Sequence, residues 1–168
     1  MVLASGAALE AEVRPVYQAH FGRLAGWAAH LVGDRDTGHD LATEAFVRLL
    51  GHWDEVEEPR AWLYTTCGNL VRDHWRKRGR EAAAYERFQG GAAGPDVSAD
   101  GPDLAQVISV REAVEALPER LRMPVLLYYF ADLSVTQVAR ALNRSEGAVK
   151  RYLYDARARL ATVLREAR

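Results

Sequence analysis

The stretch RSEGAVKRYLYDARARL, residues 144–160, carries cations at a spacing that suits one chemistry, the neutralisation of phosphates. On a helix, positions three and four apart share a face, so Val149, Leu153, Ala156 and Leu160 form an apolar stripe. Lys150, Arg151, Tyr154 and Arg157 then point to solvent or to a partner. A second cluster, residues 72–80, holds five Arg/Lys against Asp73 alone, a local +4. Between the two, residues 81–104 hold Arg87 against Glu81, Glu86, Asp96, Asp100 and Asp103, a local −4. The formal net charge is only −1, so charge here is segregated rather than in excess. Two basic patches flanking an acidic stretch predict a polyanion gripped at two places. A basic helix alone is as often a solvated surface, and its neighbours must decide.

Other chemistries are not provided for. The five histidines (His20, His30, His39, His52 and His74) are scattered, and none stands at metal-ligand spacing with the single cysteine, Cys67. No Gly-rich phosphate loop, nucleophile elbow or paired catalytic carboxylates occurs. Catalysis, a metal, a cofactor and a small-molecule substrate are therefore not expected. Cys67 reads as a small buried apolar residue, and Trp53, Trp62 and Trp75 as core or interface rather than base-stacking platforms. Hydrophobic content of 49% and charged content of 27% are those of a folded protein. No apolar run approaches the roughly 20 residues that span a bilayer. MVLASGAALEAEVRP lacks both the basic leader and the apolar core of a secretory signal. These features predict a cytoplasmic protein without membrane insertion.

Helical periodicity dominates, which predicts an all-α fold. Val13, Tyr17, Leu24, Trp27 and Leu31 outline a first helical segment, with a break expected near Gly22 and a start or kink at Pro15. GDRDTGHD, residues 33–40, reads as a turn rich in capping residues, followed by a helix with Leu41, Ala45, Leu49 and Trp53 on one face. DEVEEP, residues 54–59, is a polar loop, and Pro59 suits the first turn of a helix running to Arg78 and ending before Gly79. The composition then shifts to Gly, Pro, Ala and Asp, predicting a flexible linker over 81–104 between domains at 1–80 and 105–168. Asp103 with Gln106 has capping-box spacing, Leu117-Pro118 restarts a helix that runs to about Phe130, and Pro124 should bend it. Ser134 and Gln137 form a capping box before Val135, Val138, Ala139 and Leu142, and Asn143 suits a left-handed helix stop. Ser145 then caps the basic helix. Two short helices joined by a tight turn, the second one basic, predict a helix-turn-helix.

At this point the sequence resembles a known family. ALPERLRMPVLLYYFADLSVTQVARALNRSEGAVKRYLYDARARL resembles region 4 of bacterial RNA polymerase sigma factors, and HDLATEAFVRLL with PRAWLYTTCGNLVRDHWRKR resembles their region 2. With no domain between the regions, the resemblance is to the extracytoplasmic-function (ECF) group, over roughly residues 10–80 and 105–165. It implies that region 2 docks on the polymerase clamp and recognises the melted −10 element, while region 4 docks on the flap and reads the −35 element as duplex.

The resemblance also distributes roles. Asp40, Glu44 and Arg48, at four-residue spacing away from Leu41, Ala45 and Leu49, match the polymerase-docking surface. The family commonly has Gln where this chain has Thr43. Asn69 falls where relatives place a promoter-facing Asn, and Arg72, Arg76 and Lys77 follow it toward phosphates. The 54–59 loop corresponds to the one that captures a flipped base. In the recognition helix, Ser145, Glu146 and Ala148 lie at the end that enters the major groove, where a Glu can accept from a cytosine amino group. Ala148 stands where many relatives have Thr. Lys150 and Arg151 suit the backbone, with Tyr154 beside them. ECF factors are commonly held by an anti-sigma factor, so such a partner is expected besides core polymerase and promoter DNA. The resemblance further places the acidic linker in the RNA-exit path, where it would act as an RNA mimic or as a plain tether.

Two other readings compete. A stand-alone helix-turn-helix regulator accounts for residues 105–168 but leaves 10–80 idle, and it would bind promoter DNA without polymerase. A small helical enzyme would need two or more of the five histidines to converge in one concave site.

Overall fold

The computed structural model describes the backbone of residues 2–88 and 110–166, and side chains from residue 6 onward within those spans. Seven α-helices and no strand occur among the described residues. They are α1 (Val2–Val32), α2 (Arg35–Gly51), α3 (Pro59–Phe88), α4 (Val110–Glu115), α5 (Glu119–Val125), α6 (Val135–Leu142) and α7 (Glu146–Glu166). The Asp103–Gln106 cap and most of the acidic linker lie outside the described residues.

α1 corrects two expectations. It begins well before Val13 and passes through both Pro15 and Gly22 without a break. Pro15 lies on the exposed side, where its missing amide meets water rather than a neighbouring helix. The 33–40 stretch is not a long turn either. Gly33, at φ +76°, and Asp34 alone reverse the chain, and α2 starts at Arg35. Asp34 caps it by accepting from the Thr37 amide at 2.9 Å. A bond from the Thr37 hydroxyl and then this one hold the Asp34 carboxyl below its ordinary pKa. Small residues then let α1 and α2 approach closely. Gly38, Ala42 and Ala45 are buried in α2, and Ala28 in α1.

After a short 3₁₀ turn at Trp53–Glu55, Pro59 opens α3 as expected. The helix does not stop at Gly79, where a Cβ would meet open space, but continues to Phe88. Its last eight residues are all exposed, and helix-favouring Ala, Glu and Arg sustain them. α1, α2 and α3 enclose Leu24, Leu31, Leu49, Leu63 and Val71, all essentially inaccessible to water. Each such side chain contributes about 1.5–3 kcal/mol.

The second unit restarts at Pro118, which precedes α5. Pro124 removes the amide that would continue the ladder, and the helix widens into a π turn over Leu126–Phe130. That turn closes with the Ala131 amide donating to the Leu126 carbonyl at 3.0 Å. Leu121, Leu126, Leu127, Val138, Val149 and Leu153 form the core of this unit.

Candidate nucleic-acid interface

The helix-turn-helix is built as the sequence predicts. The Ser134 hydroxyl accepts from the Gln137 amide at 3.1 Å, and the Gln137 side chain accepts from the Ser134 amide at 2.9 Å. Asn143 ends α6 in the left-handed conformation, φ 52°. Ser145 starts α7 by accepting from the Ala148 amide at 3.1 Å. Val149, Leu153 and Ala156 are buried and seat α7 against α5 and α6. Ser145, Glu146, Lys150, Arg151 and Tyr154 are left exposed on its other faces, and Ala148 is half-buried. Glu146 is not idle, since the Thr136 hydroxyl of α6 donates to its Oε1 at 2.8 Å. Arg157 donates to the Tyr129 hydroxyl at 2.9 Å, a bond that raises the Arg157 pKa above its ordinary value.

In the first unit, α2 and α3 present two different faces. Asp40, Glu44 and Arg48 are exposed together on α2, with Arg48 Nε donating to Glu44 at 2.9 Å. Val47 and Leu50 are exposed beside them (56% and 45%), leading to a shallow groove with Leu9, Val13 and Tyr17. On α3, Asn69 and Arg72 are half-buried, and Arg76 and Lys77 are exposed. The 54–59 loop supplies Glu55, Val56, Glu57 and Glu58 to an open cleft of about 350 Å³ floored by Ala61, Trp62 and Thr65. Trp75 is buried and donates to the Leu31 carbonyl at 3.1 Å, a core role, while Trp62 lines the cleft.

Sequence reasoning does not anticipate that the two units touch along α3. Gly68 leaves a dent for Met123, whose Cε lies 3.0 Å from where a Cβ would stand. The Arg122 guanidinium lies 5.3 Å over the Trp75 ring. Arg76 pairs with Glu119, Arg72 Nε lies 4.0 Å from the same carboxylate, and Arg140 lies 3.8 Å from Glu58. Arg60 donates to the Ala131 carbonyl. Burial, and then repulsion from Arg76 and Arg72, lowers the Arg122 pKa, with Glu115 opposing. Among the described residues no three His, Cys, Asp or Glu lie together as a metal site, and no helix is long and apolar enough to cross a membrane.

Two family models match this chain. Sigma-70 region 2 matches residues 16–81, and Sigma-70 region 4 matches residues 108–160. The RNA polymerase sigma-E factor of Streptomyces avermitilis is 31% identical over 138 residues, covering 79% of this chain and 74% of that protein. The chain belongs to the ECF RNA polymerase sigma factors. The ECF sigma factor SigL of Mycobacterium tuberculosis is 26% identical over 169 residues, spanning 98% of this chain and 96% of its own. The sigma factor RpoE, solved with the anti-sigma factor NepR from Bartonella quintana, has the same fold: TM-score 0.62 at 22% identity, over 94% of this chain and 99% of that one.

Sigma-factor function in promoter-specific transcription initiation follows for this chain, with core RNA polymerase and promoter DNA as its partners. Cys67 sits in the sigma factor's region 2 core with no exposed surface, and burial pushes its thiol up to about 12 from 9.0. A thiol held protonated is inert. Alkylation of the native protein at pH 8 should therefore proceed only as fast as the chain opens. The raised value also means that this group's contribution to stability is intact below pH 9 and declines between 9 and about 12. Labelling at the rate of a free thiol at pH 8 would contradict the buried assignment.

Proposed function

We propose a division of labour within this sigma factor. Residues 1–80 dock on the clamp through Asp40, Glu44 and Arg48, and engage the melted −10 element through Asn69, Arg72, Arg76, Lys77 and the 54–59 loop. Residues 105–168 read the −35 duplex with Ser145, Glu146 and Ala148, and Lys150, Arg151 and Tyr154 hold its backbone. The single supporting observation is that each unit carries its own cationic helical face, on α3 and on α7, at the positions of the two regions. The acidic 81–104 segment, whose first eight residues extend α3 rather than forming flexible linker, joins the units as a tether or an RNA mimic. The protein itself does no chemistry. It acts in the cytoplasm, and a helical anti-sigma domain binds it one to one and excludes core polymerase.

Promoter readout tests the assignment. A carboxylate keeps a second oxygen when Thr136 occupies the first, so Glu146 remains able to accept from a cytosine amino group. Glu146→Ala should relax preference at one −35 base pair by about 1–3 kcal/mol. Thr136→Val should relax the same base pair by less, since it only orients Glu146. Arg151→Ala should weaken all promoters alike and flatten the salt dependence. Transcription from a promoter library by reconstituted holoenzyme separates these patterns. Identical profiles for Glu146→Ala and Arg151→Ala would overturn the split between reading and anchoring.

A further inference from the structure

The geometry points to a phosphate clamp that Tyr129 and Arg157 form together, a nucleic-acid backbone site beyond Lys150, Arg151 and Tyr154. It rests on the reading that α7 lies in the −35 major groove. The Arg157 guanidinium donates to the Tyr129 hydroxyl at 2.9 Å. That hydroxyl accepts with a lone pair and keeps its own proton to give, while the guanidinium has four of its five N–H donors left. Two donors 2.9 Å apart, one of them charged, suit two oxygens of a single phosphate.

The pair stands where a DNA strand runs. Lys150, Tyr154 and Arg157 follow one another at spacings of four and three, so they share one exposed face of α7. Arg157 comes eleven residues after Glu146, about 16 Å along the helix. The major groove is about 12 Å wide. With Glu146 at the base edges, Arg157 is carried past the groove floor to the backbone at its wall. Tyr129 approaches from the π turn, which buries Leu126 and Leu127 and leaves Tyr129 47% exposed. Its ring is held edge-on to Tyr128 at 4.9 Å.

The charge of Arg157 is unspent. One turn away in either direction on α7 stand Leu153, Tyr154, Leu160 and Ala161, none of them acidic. Asp155 is two positions back and points to another face. The side chains that act on Arg157 are Tyr129, Tyr128 and Tyr154, with no carboxylate among them. Other cations differ, since Arg76 pairs with Glu119 and Asp73, and Arg48 with Glu44. Fastening α7 alone would be served better by a carboxylate at 129, which would also cancel the charge. A neutral hydroxyl holds the guanidinium in place and preserves its charge for a partner. Such pre-ordering lowers the entropy lost on binding.

The test measures binding of reconstituted holoenzyme to a fluorescent promoter duplex over a salt series. Arg157→Ala should bind about tenfold more weakly. It should also reduce the slope of log affinity against log salt by about 0.9, the share of one phosphate. Tyr129→Phe keeps the ring and its packing, so it should weaken binding severalfold with the slope unchanged, because no charge is lost. Both losses should be equal for every −35 sequence. Duplexes with one uncharged methylphosphonate linkage then locate the contact. A single linkage at the edge of the −35 groove should weaken the wild type about tenfold and leave Arg157→Ala no weaker than before. Wild-type affinity and slope in Arg157→Ala would overturn the clamp. So would a Tyr129→Phe protein that melts lower yet binds as wild type, which is the mark of a purely structural bond. Weakening of Arg157→Ala that no single linkage reproduces would reduce the effect to general charge and sink the site. Failure of the underlying α7 reading shows separately, as wild-type promoter binding in Arg151→Ala, and the clamp falls with it.

Discussion

Gly38→Ala is expected to lower the melting temperature of this chain by about 10 °C, although alanine is the better helix former. A Cβ at position 38 would lie 2.3 Å from the Ala29 backbone nitrogen and 2.4 Å from its Cα. Those atoms belong to α1 and cannot turn aside as a flexible side chain would. The helices must separate, loosening Ala28, Ala42 and Ala45 at the same crossing. Overpacking of this kind costs about 3 kcal/mol at a rigid site. Gly22→Ala and Gly26→Ala supply the contrast, because a Cβ at either meets nothing within 4 Å. There only propensity acts, and each should stabilise by about 0.5–1 kcal/mol. Thermal melts of the three variants decide by sign, and a Gly38→Ala melt matching the other two would remove the close crossing from the fold.

The elements legible in the sequence are those whose determinants are local. The Ser134–Gln137 box, the Asn143 stop and the Ser145 cap each lie within a few residues of the backbone groups they satisfy. The helix-turn-helix is therefore readable without any tertiary contact. Gly38 reads as part of a turn because its meaning depends on Ala29, which lies across the helix crossing. Gly22 and Gly79 suggest breaks by propensity, which continuing helix on both sides overrides. The candidate site divides in the same way. The spacing of Lys150, Arg151 and Tyr154 along α7 is visible as periodicity. The Glu119 partnership with Arg72 and Arg76 joins residues more than forty positions apart and leaves no periodic trace. A lone acid beside Arg120 and Arg122 reads from sequence as ordinary surface. Thr136 is likewise unmarked, because its bond to Glu146 crosses the turn.

Glu44→Arg should abolish co-purification with core polymerase while leaving the helical spectrum unchanged. Glu44 is exposed on α2 and accepts from Arg48 at 2.9 Å, with both side chains about half accessible. An exposed helical pair of this kind contributes only about 0.3–0.5 kcal/mol, so its loss leaves the fold intact. A second guanidinium four residues before Arg48 adds a repulsion of similar size. The effect at a protein interface is far larger. Val47 follows Glu44 by three residues and Leu50 follows Val47 by three, so the carboxylate borders an exposed apolar strip that continues into the groove with Tyr17. Such a patch with a charged rim is the make-up of a docking surface. Like charges brought together in an interface cost several kcal/mol, enough to weaken binding more than about a hundredfold. Glu166→Arg, the same reversal at the exposed end of α7, is the control for charge alone and should bind as wild type does. Val47→Ala should weaken the complex by removing apolar contact without touching charge. Wild-type recovery of polymerase by Glu44→Arg would move the docking face off α2, and equal loss in Glu166→Arg would reduce the effect to net charge.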